Sequence, residues 1–319
     1  MTDSILTRRD FVRSSLAGAA ALSLGFDPRA AFAADPSGKP AAGKIGDFKI
    51  SLAEWSLHKA LFAKEITNLD FPKIAREDYG IDGVEFVNQF FKDKAHDSAY
   101  LKDLKKRADD HGVTCVLIMI DGEPQLASES AEVRKSAVEG HKKWVDAAAA
   151  LGCHSIRVNT AGKYSPTDTK AAAEACSALA EYGAKNKINI ICENHGGPSS
   201  DPDSLLALIK AVGKDNFGTL PDFGNFPKDR QGKYMIDIYD AIARMMPFAK
   251  GVSAKSYDFD AIGNETKLDF ARILKIVTDA GYKGYVGIEY EGNRFPEPQG
   301  IRATKKLLES LRGSNYTPA

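Results

Sequence analysis

The sequence predicts a single α/β domain folded as a (β/α)8 barrel, on the basis of three observations. From residue 48 to residue 313, short runs rich in β-branched residues alternate with longer segments of helical period, and there are eight such units. The strand runs are almost continuously apolar, as is typical of parallel strands buried on both faces. The first strand is followed by SLHKALFAKE rather than by a G-x-G-x-x-G turn, which favours a barrel over an open dinucleotide-binding sheet.

The predicted strands are short runs such as VTCVLIMI and INIICEN, in which Val and Ile are frequent. In chain order the eight runs cover residues 48–55, 83–88, 113–120, 155–160, 188–194, 218–223, 250–256 and 284–291.

The predicted helices combine an apolar face with signals for helix ends. In residues 97–112, for example, Leu101, Leu104 and Ala108 share one face and Gly112 stands at the end. In chain order the helical segments cover residues 71–80, 97–112, 130–152, 169–187, 204–213, 235–246, 268–281 and 301–313.

Composition excludes two classes of partner. Lys plus Arg and Asp plus Glu both total 43 in 319 residues, so no net positive charge exists to attract nucleic acid or an anionic membrane. Beyond the N-terminus there is no apolar run long enough to predict a membrane span. We therefore expect a small-molecule ligand. The sequence leaves the oligomeric state open, and a homo-oligomer is compatible with it.

The first 34 residues differ from the rest. A twin arginine, Arg8 and Arg9, precedes an Ala-, Gly- and Leu-rich stretch that ends in the A-x-A pattern of residues 31–33. This segment resembles a bacterial twin-arginine export signal, which implies the export machinery as a partner and a periplasmic location. The chain is accordingly divided into the signal (1–34), a linker (35–47), the barrel (48–313) and a C-terminal tail (314–319).

The four cysteines are predicted to be buried free thiols. An exported protein invites disulfides, but two of these cysteines lie inside apolar runs and a domain of this size needs no covalent staples.

Several predicted strands end in an acidic residue. Glu193, Asp222 and Glu289 end the fifth, sixth and eighth strands, and Glu54 and Glu85 belong to the first two. The carboxyl ends of barrel strands form the mouth in which active sites lie. Carboxylates brought together there repel one another, so they require a cation or shared protons. A divalent metal held by oxygen ligands is the simplest solution.

The motifs GVEF, CENHGG, PDFGN and GIEYEG resemble those of the xylose isomerase-like barrels, often labelled sugar phosphate isomerases/epimerases. The resemblance spans about residues 48 to 313. It implies one divalent ion, Mn²⁺ or Mg²⁺, held by Glu193, Asp222 and Glu289. It also implies that Glu193 and Glu289 are catalytic, and that chemistry takes place at a sugar carbonyl.

The fourth ligand of that family, a His, is replaced here by Ser253, with Lys255 two residues later. Strand alternation points Lys255 to the same side as Ser253, so Lys255 is also a candidate catalytic residue. Three alternatives remain open: three carboxylates and water hold a more weakly bound ion, His195 completes the ligand set, or the Lys255 ammonium itself neutralises the acids.

Five residues are candidates for binding the substrate. His195 precedes two adjacent glycines at the tip of the fifth strand, and Asn159 at the tip of the fourth suits a sugar hydroxyl. Glu54, His58 and Glu85 belong to the first two units, and for these a purely structural role is an equal alternative.

The expected function is that of a carbohydrate-active isomerase or epimerase that removes a proton next to a carbonyl. An unphosphorylated sugar or keto-sugar is favoured, since phosphorylated sugars are scarce outside the cytoplasm and the sequence has no glycine-rich phosphate loop. One alternative is a lyase or hydrolase that cleaves 3-keto-glycosides by elimination. Another is a non-catalytic sugar-binding barrel.

Overall fold

The computed structural model of the protein describes residues 40–318. The predicted export signal and the first five residues of the predicted linker, 35–39, lie outside these residues.

Eight parallel strands form the central sheet and confirm the predicted barrel. They are β1 (Lys49–Ala53), β2 (Gly83–Val87), β3 (Thr114–Ile120), β4 (Ser155–Val158), β5 (Asn189–Glu193), β6 (Phe217–Leu220), β7 (Val252–Ser256) and β8 (Tyr285–Tyr290). The hydrogen-bonded order is β6-β5-β4-β3-β2-β1-β8-β7. Two parallel bridges, Thr219–Ala249 and Asp222–Ser253, connect the remaining neighbours β6 and β7, so the sheet closes on itself.

Nine helices of the described chain surround the sheet. They are α1 (His58–Phe62), α2 (Phe71–Tyr79), α3 (Ser98–Asp110), α4 (Ala131–Leu151), α5 (Lys170–Lys185), α6 (Pro202–Val212), α7 (Ile238–Met245), α8 (Phe270–Asp279) and α9 (Glu297–Leu311). Eight match predicted segments. The five-residue α1 was not predicted, because it is too short to show a helical period.

Two apolar layers hold the barrel together. The larger lies between the strands and the helices. A smaller one fills the barrel interior and consists of Ala53, Val87, Val116, Leu117, Met119, Ile191 and Leu220. All four cysteines, which lie within the described residues, are buried and free, in agreement with the sequence.

A short antiparallel ribbon joins the two ends of the described chain. Gly43 pairs with Tyr316 and Lys44 with Asn315. These residues fall in the predicted linker and tail, and runs of two residues are too short for any periodicity to reveal. The ribbon places both ends next to the start of β1, at the end of the barrel opposite the mouth.

Within residues 40–318, no helix is both long enough and apolar enough to span a bilayer.

Candidate active site at the barrel mouth

The carboxyl ends of β5 to β8 bring three acidic side chains together. Glu193 is the last residue of β5, and Glu289 lies near the end of β8. Asp222 lies two residues beyond β6, after Pro221, which has no N–H to continue the sheet. All three side chains are buried, and one oxygen from each lies within 4.8 Å of the others. We call these three residues the carboxylate cluster.

Glu193 is flanked by a buried arginine that sequence reasoning missed. The Nε atom of Arg157 lies 2.9 Å from Oε2 of Glu193, although its N–H is not aligned for a hydrogen bond. The amide of Asn225 donates to Oε1 at 2.9 Å. Burial raises the pKa of Glu193 to about 7, against the opposing charge of Arg157 and with the help of the nearby Glu289.

Glu289 is held by a lysine instead. Nζ of Lys255 lies 3.0 Å from Oε1, and the hydroxyl of Ser253 lies 2.9 Å from Oε2. Burial alone would raise the pKa of Glu289, but the Lys255 ammonium and the hydrogen bonds from Lys255 and Ser253 hold it below its usual value. The two glutamates of the cluster therefore have different partners and opposite shifts.

Asp222 is fixed by the backbone and by Ser253. Its Oδ1 accepts hydrogen bonds from the backbone N–H groups of Gly224 and Asn225, both at 2.8 Å. Its Oδ2 lies 2.7 Å from the Ser253 hydroxyl, which also faces Glu289. A hydroxyl has only one proton to donate, so it cannot donate to both carboxylates at once. Burial raises the pKa of Asp222 to about 7, which favours a shared proton here when no further cation is bound.

Lys255 is the central cation of the mouth. Its side chain is 2% exposed, and its Nζ lies 3.4 Å from Glu291 and 3.9 Å from Asp222, in addition to its contact with Glu289. Burial opposes the charged form, but Glu289, Asp222 and Glu291 together raise its pKa, so the side chain is an ammonium ion.

A second network behind Glu193 uses Asn159. Asp121, the first residue after β3, accepts hydrogen bonds from Arg157 at 2.8 Å and from Asn159 at 2.7 Å. The Asn159 oxygen in turn accepts from Arg157 at 3.1 Å. Asn159 is thus engaged in holding Arg157. Arg157 could have been predicted as a site residue from Asn159, which lies two residues later, because alternate residues of a strand share one face.

The other predicted binding residues lie in different surroundings. His195 is exposed at the mouth and lines a cavity of about 480 Å³ together with Asn225, Lys228 and Tyr257. His58 is half-buried, and its Nδ1 lies 2.7 Å from the carbonyl oxygen of Trp55.

Glu54 and Glu85 are both buried away from solvent. Glu54 accepts hydrogen bonds from Asn68 and from the backbone of Val87, both at 2.8 Å, so it ties the end of β1 to β2. Glu85 accepts one from Ser51 at 2.6 Å, and its other oxygen has no hydrogen-bond partner among the described residues. Burial raises the pKa of each to about 8. Both carboxyls are therefore largely protonated at neutral pH.

Comparison with known families identifies the family of the barrel. The model of the xylose isomerase-like TIM barrel family matches residues 74–311, which is most of the chain. The chain belongs to this family.

Solved structures show the same xylose isomerase-like fold at low sequence identity. A xylose isomerase domain protein from Planctomyces limnophilus superposes with a TM-score of 0.62 at 16% identity, over 83% of this chain and 97% of that one. A D-psicose 3-epimerase superposes with a TM-score of 0.63 at 16% identity, over 84% of this chain and 100% of the epimerase. A xylose isomerase-like TIM barrel protein from Mycobacterium smegmatis was solved in complex with magnesium. It superposes with a TM-score of 0.62 at 16% identity, over 83% of this chain and 96% of that one.

One curated relative matches a short segment. The C-glycoside deglycosidase alpha subunit of Arthrobacter globiformis is 42% identical over 53 residues. That segment is 17% of this chain and spans only 15% of the relative's length.

The cluster of this xylose isomerase-like barrel fits a divalent cation. Among the described residues, the ion pairs of the mouth join five carboxylates to two buried cations. These residues are Asp121, Glu193, Asp222, Glu289 and Glu291, with Arg157 and Lys255. The net charge is negative, and carboxylate oxygens are the ligands that Mg²⁺ and Mn²⁺ prefer. Glu193, Asp222 and Glu289 would hold the ion, and the neighbouring Ser253 offers a hydroxyl rather than a nitrogen donor.

Proposed function

We propose that this xylose isomerase-like barrel is an exported carbohydrate-active enzyme that removes and returns a proton next to a sugar carbonyl, as an isomerase or epimerase does. The observation that carries the proposal is the pairing of Glu193 and Glu289. The two carboxylates approach a common point from different strands, and each has its own buried cation, Arg157 or Lys255. Removal of a proton from one face of a substrate carbon and its return on the opposite face needs two such groups.

The two glutamates take different roles in this scheme. Glu289 is held ionised by Lys255 and Ser253, so it is suited to accept the proton from the carbon next to the carbonyl. The charged form of Glu193 is less stabilised than that of Glu289, so Glu193 is suited to deliver a proton to the opposite side of the substrate. A divalent ion bound at the cluster would supply positive charge against the negative charge that develops on the substrate oxygen.

The substrate we propose is an unphosphorylated sugar or keto-sugar. Both buried cations of the mouth are already paired with carboxylates of the protein, so neither is free to bind a phosphate. Export through the twin-arginine route supports the same choice, since it would place the enzyme in the periplasm.

A second candidate reaction is the cleavage of keto-glycosides. The 53-residue similarity to a C-glycoside deglycosidase subunit favours it. The base would again take the proton next to the carbonyl. The electron pair would then form a carbon–carbon double bond, while the bond to the β leaving group breaks and that group receives a proton from the paired carboxyl.

Incubation in deuterated water tests both reactions. The purified protein is mixed with unphosphorylated ketoses, aldoses and 3-keto-glycosides, and the products are followed by NMR. Solvent deuterium next to the carbonyl supports the isomerase or epimerase, and release of the aglycone supports the lyase. Binding of a sugar without exchange or cleavage would overturn both and leave a sugar-binding barrel.

A further inference from the structure

Three aromatic rings from the loops after β1 and β2 gather at one side of the mouth. Trp55 lies in a turn of 3₁₀ helix directly after β1, Phe62 ends α1, and Phe90 lies in the turn after β2. The ring centroids of Trp55 and Phe62 are 6.0 Å apart, those of Trp55 and Phe90 6.2 Å, and those of Phe62 and Phe90 5.2 Å. We call these three residues the aromatic platform.

The platform packs against the barrel interior on one side and is exposed to solvent on the other. Trp55 and Phe90 pack against the apolar layer inside the barrel, and His58 stacks on Trp55 at 4.9 Å between centroids. Phe62, in contrast, is 57% exposed. A large apolar ring held by two others and left open to water is a typical lining of a binding site for an apolar group.

A chain of short contacts connects the platform to the carboxylate cluster. The indole N–H of Trp55 donates to Oε1 of Glu291 at 2.6 Å, and that oxygen lies 3.4 Å from Nζ of Lys255. Lys255 then contacts Glu289 at 3.0 Å. The platform is therefore next to the site where the sugar would react, on the side of β1 and β2.

The chemistry of the platform selects its ligand. The indole N–H is already bound to Glu291, and Nδ1 of His58 faces the Trp55 carbonyl, so neither is available for sugar hydroxyls. Phe62 and Phe90 have no polar atoms in their side chains. Rings set at 62° and 89° to one another offer faces and edges to a further flat ring.

We propose that the aromatic platform binds a flat, apolar ring attached to the sugar, so that the preferred substrates are glycosides or sugar derivatives with an aromatic substituent. The inference rests on the proposed function, because it takes the carboxylate cluster as the place of the sugar ring.

The test compares the binding of phenyl β-D-glucopyranoside and methyl β-D-glucopyranoside by calorimetry. We expect the phenyl glycoside to bind about ten-fold more tightly, as one additional aromatic contact with its buried area would give. Phe62→Ala should remove most of this preference and Phe62→Tyr should keep it. Val133→Ala, which truncates an exposed apolar side chain on α4, should leave the preference unchanged.

The result identifies which proposal fails. A phenyl preference that depends on Phe62, without solvent deuterium exchange into any sugar, would support the platform and overturn the proposed reaction. Exchange into simple sugars with equal binding of the two glycosides, or with no binding of the phenyl glycoside, would overturn the platform. The platform would also be overturned if Phe62→Ala changed the mass of the protein in light scattering while the phenyl preference stayed intact, because Phe62 would then belong to a subunit interface.

Discussion

The ammonium group of Lys255 lies 3.0 Å from the carboxylate of Glu289, and both side chains are buried. The strand position two residues before Lys255 is occupied by Ser253 rather than by a histidine. The mouth therefore has a built-in cation on the strand that also presents the Ser253 hydroxyl to Asp222 and Glu289. Whether that cation acts with a metal or in place of one can be measured.

Our first prediction is that a divalent ion is bound, and bound weakly. Chelator should inhibit turnover, and added Mn²⁺ or Mg²⁺ should restore it, because three carboxylates attract the ion without a nitrogen ligand. Ser253→His should tighten ion binding in a calorimetric titration. If Lys255 alone neutralises the acids, full activity will persist in chelator and Lys255→Met will abolish it. The exposed Lys283→Met is the matched control for loss of a lysine.

The second prediction concerns the two glutamates. Glu193→Gln and Glu289→Gln keep the shape of each side chain but remove its charge and its ability to accept a proton. Each should lower the rate of deuterium exchange by about 10²–10⁴-fold, the usual contribution of a general acid or base. The exposed Glu174→Gln should change nothing. A variant at either position that retained most of its activity would exclude that residue from proton transfer.

The third prediction concerns Gly287 on β8. A Cβ atom at this position would lie 2.5 Å from Oε1 and 2.6 Å from Oε2 of Glu85, and the Glu85 carboxyl is buried inside the barrel. Gly287→Ala should therefore reduce the free energy of unfolding by about 1–3 kcal/mol, as overpacking does. In the Glu85→Ala background the same change should cost much less, which a double-mutant cycle by urea denaturation would show. An equal cost in both backgrounds would mean that the destabilisation does not come from a clash with the Glu85 carboxyl.

The fourth prediction is that stability falls as pH rises from about 4.5 to about 8. Glu54 and Glu85 have pKa values near 8 in the folded state, against an ordinary value of 4.5. Below pH 4.5 both carboxyls are protonated in the folded and in the unfolded protein, so their ionisation does not reduce the free energy of unfolding. Above it the unfolded chain ionises while the folded chain does not, which costs on the order of 1 kcal/mol per pH unit for each group until the folded pKa is passed.

Thermal unfolding at several pH values would measure this slope. Glu85→Gln should make it shallower, and Glu174→Gln should leave it unchanged. A melting temperature that rose between pH 5 and pH 8 in the parent protein would contradict the prediction.

The fifth prediction concerns location. Replacing Arg8 and Arg9 with lysine should keep the precursor in the cytoplasm, because the twin-arginine route requires the arginine pair. Fractionation of cells that express the two forms would test it. An unchanged periplasmic yield for the lysine form would mean that residues 1–34 are not the signal we propose.

The sequence predicted those parts of the site that follow from strand geometry alone. Glu193, Asp222 and Glu289 each stand at the end of a recognisable apolar run, and parallel strands bring such ends together. Arg157 and Glu291 were missed, although alternation with Asn159 and Glu289 places them on the same faces of their strands.

Glu54 shows the limit of reasoning from strand ends. Its sequence position resembles that of the cluster residues, but its oxygens are bound by Asn68 and by the backbone of Val87. Asn68 belongs to a connecting segment without periodicity, and no local pattern shows where its side chain will lie. Partners of this kind follow from tertiary packing, which a single sequence does not reveal.

The ribbon between residues 43–44 and 315–316 makes the barrel a candidate for circular permutation. Its two ends are already hydrogen-bonded neighbours, so a short linker between them would close the backbone into a ring. New ends could be opened at the turn around Gly213, between α6 and β6 and on the side opposite the mouth. Such a chain would keep every side chain of the carboxylate cluster in place while reversing the order in which β1–β5 and β6–β8 leave the ribosome.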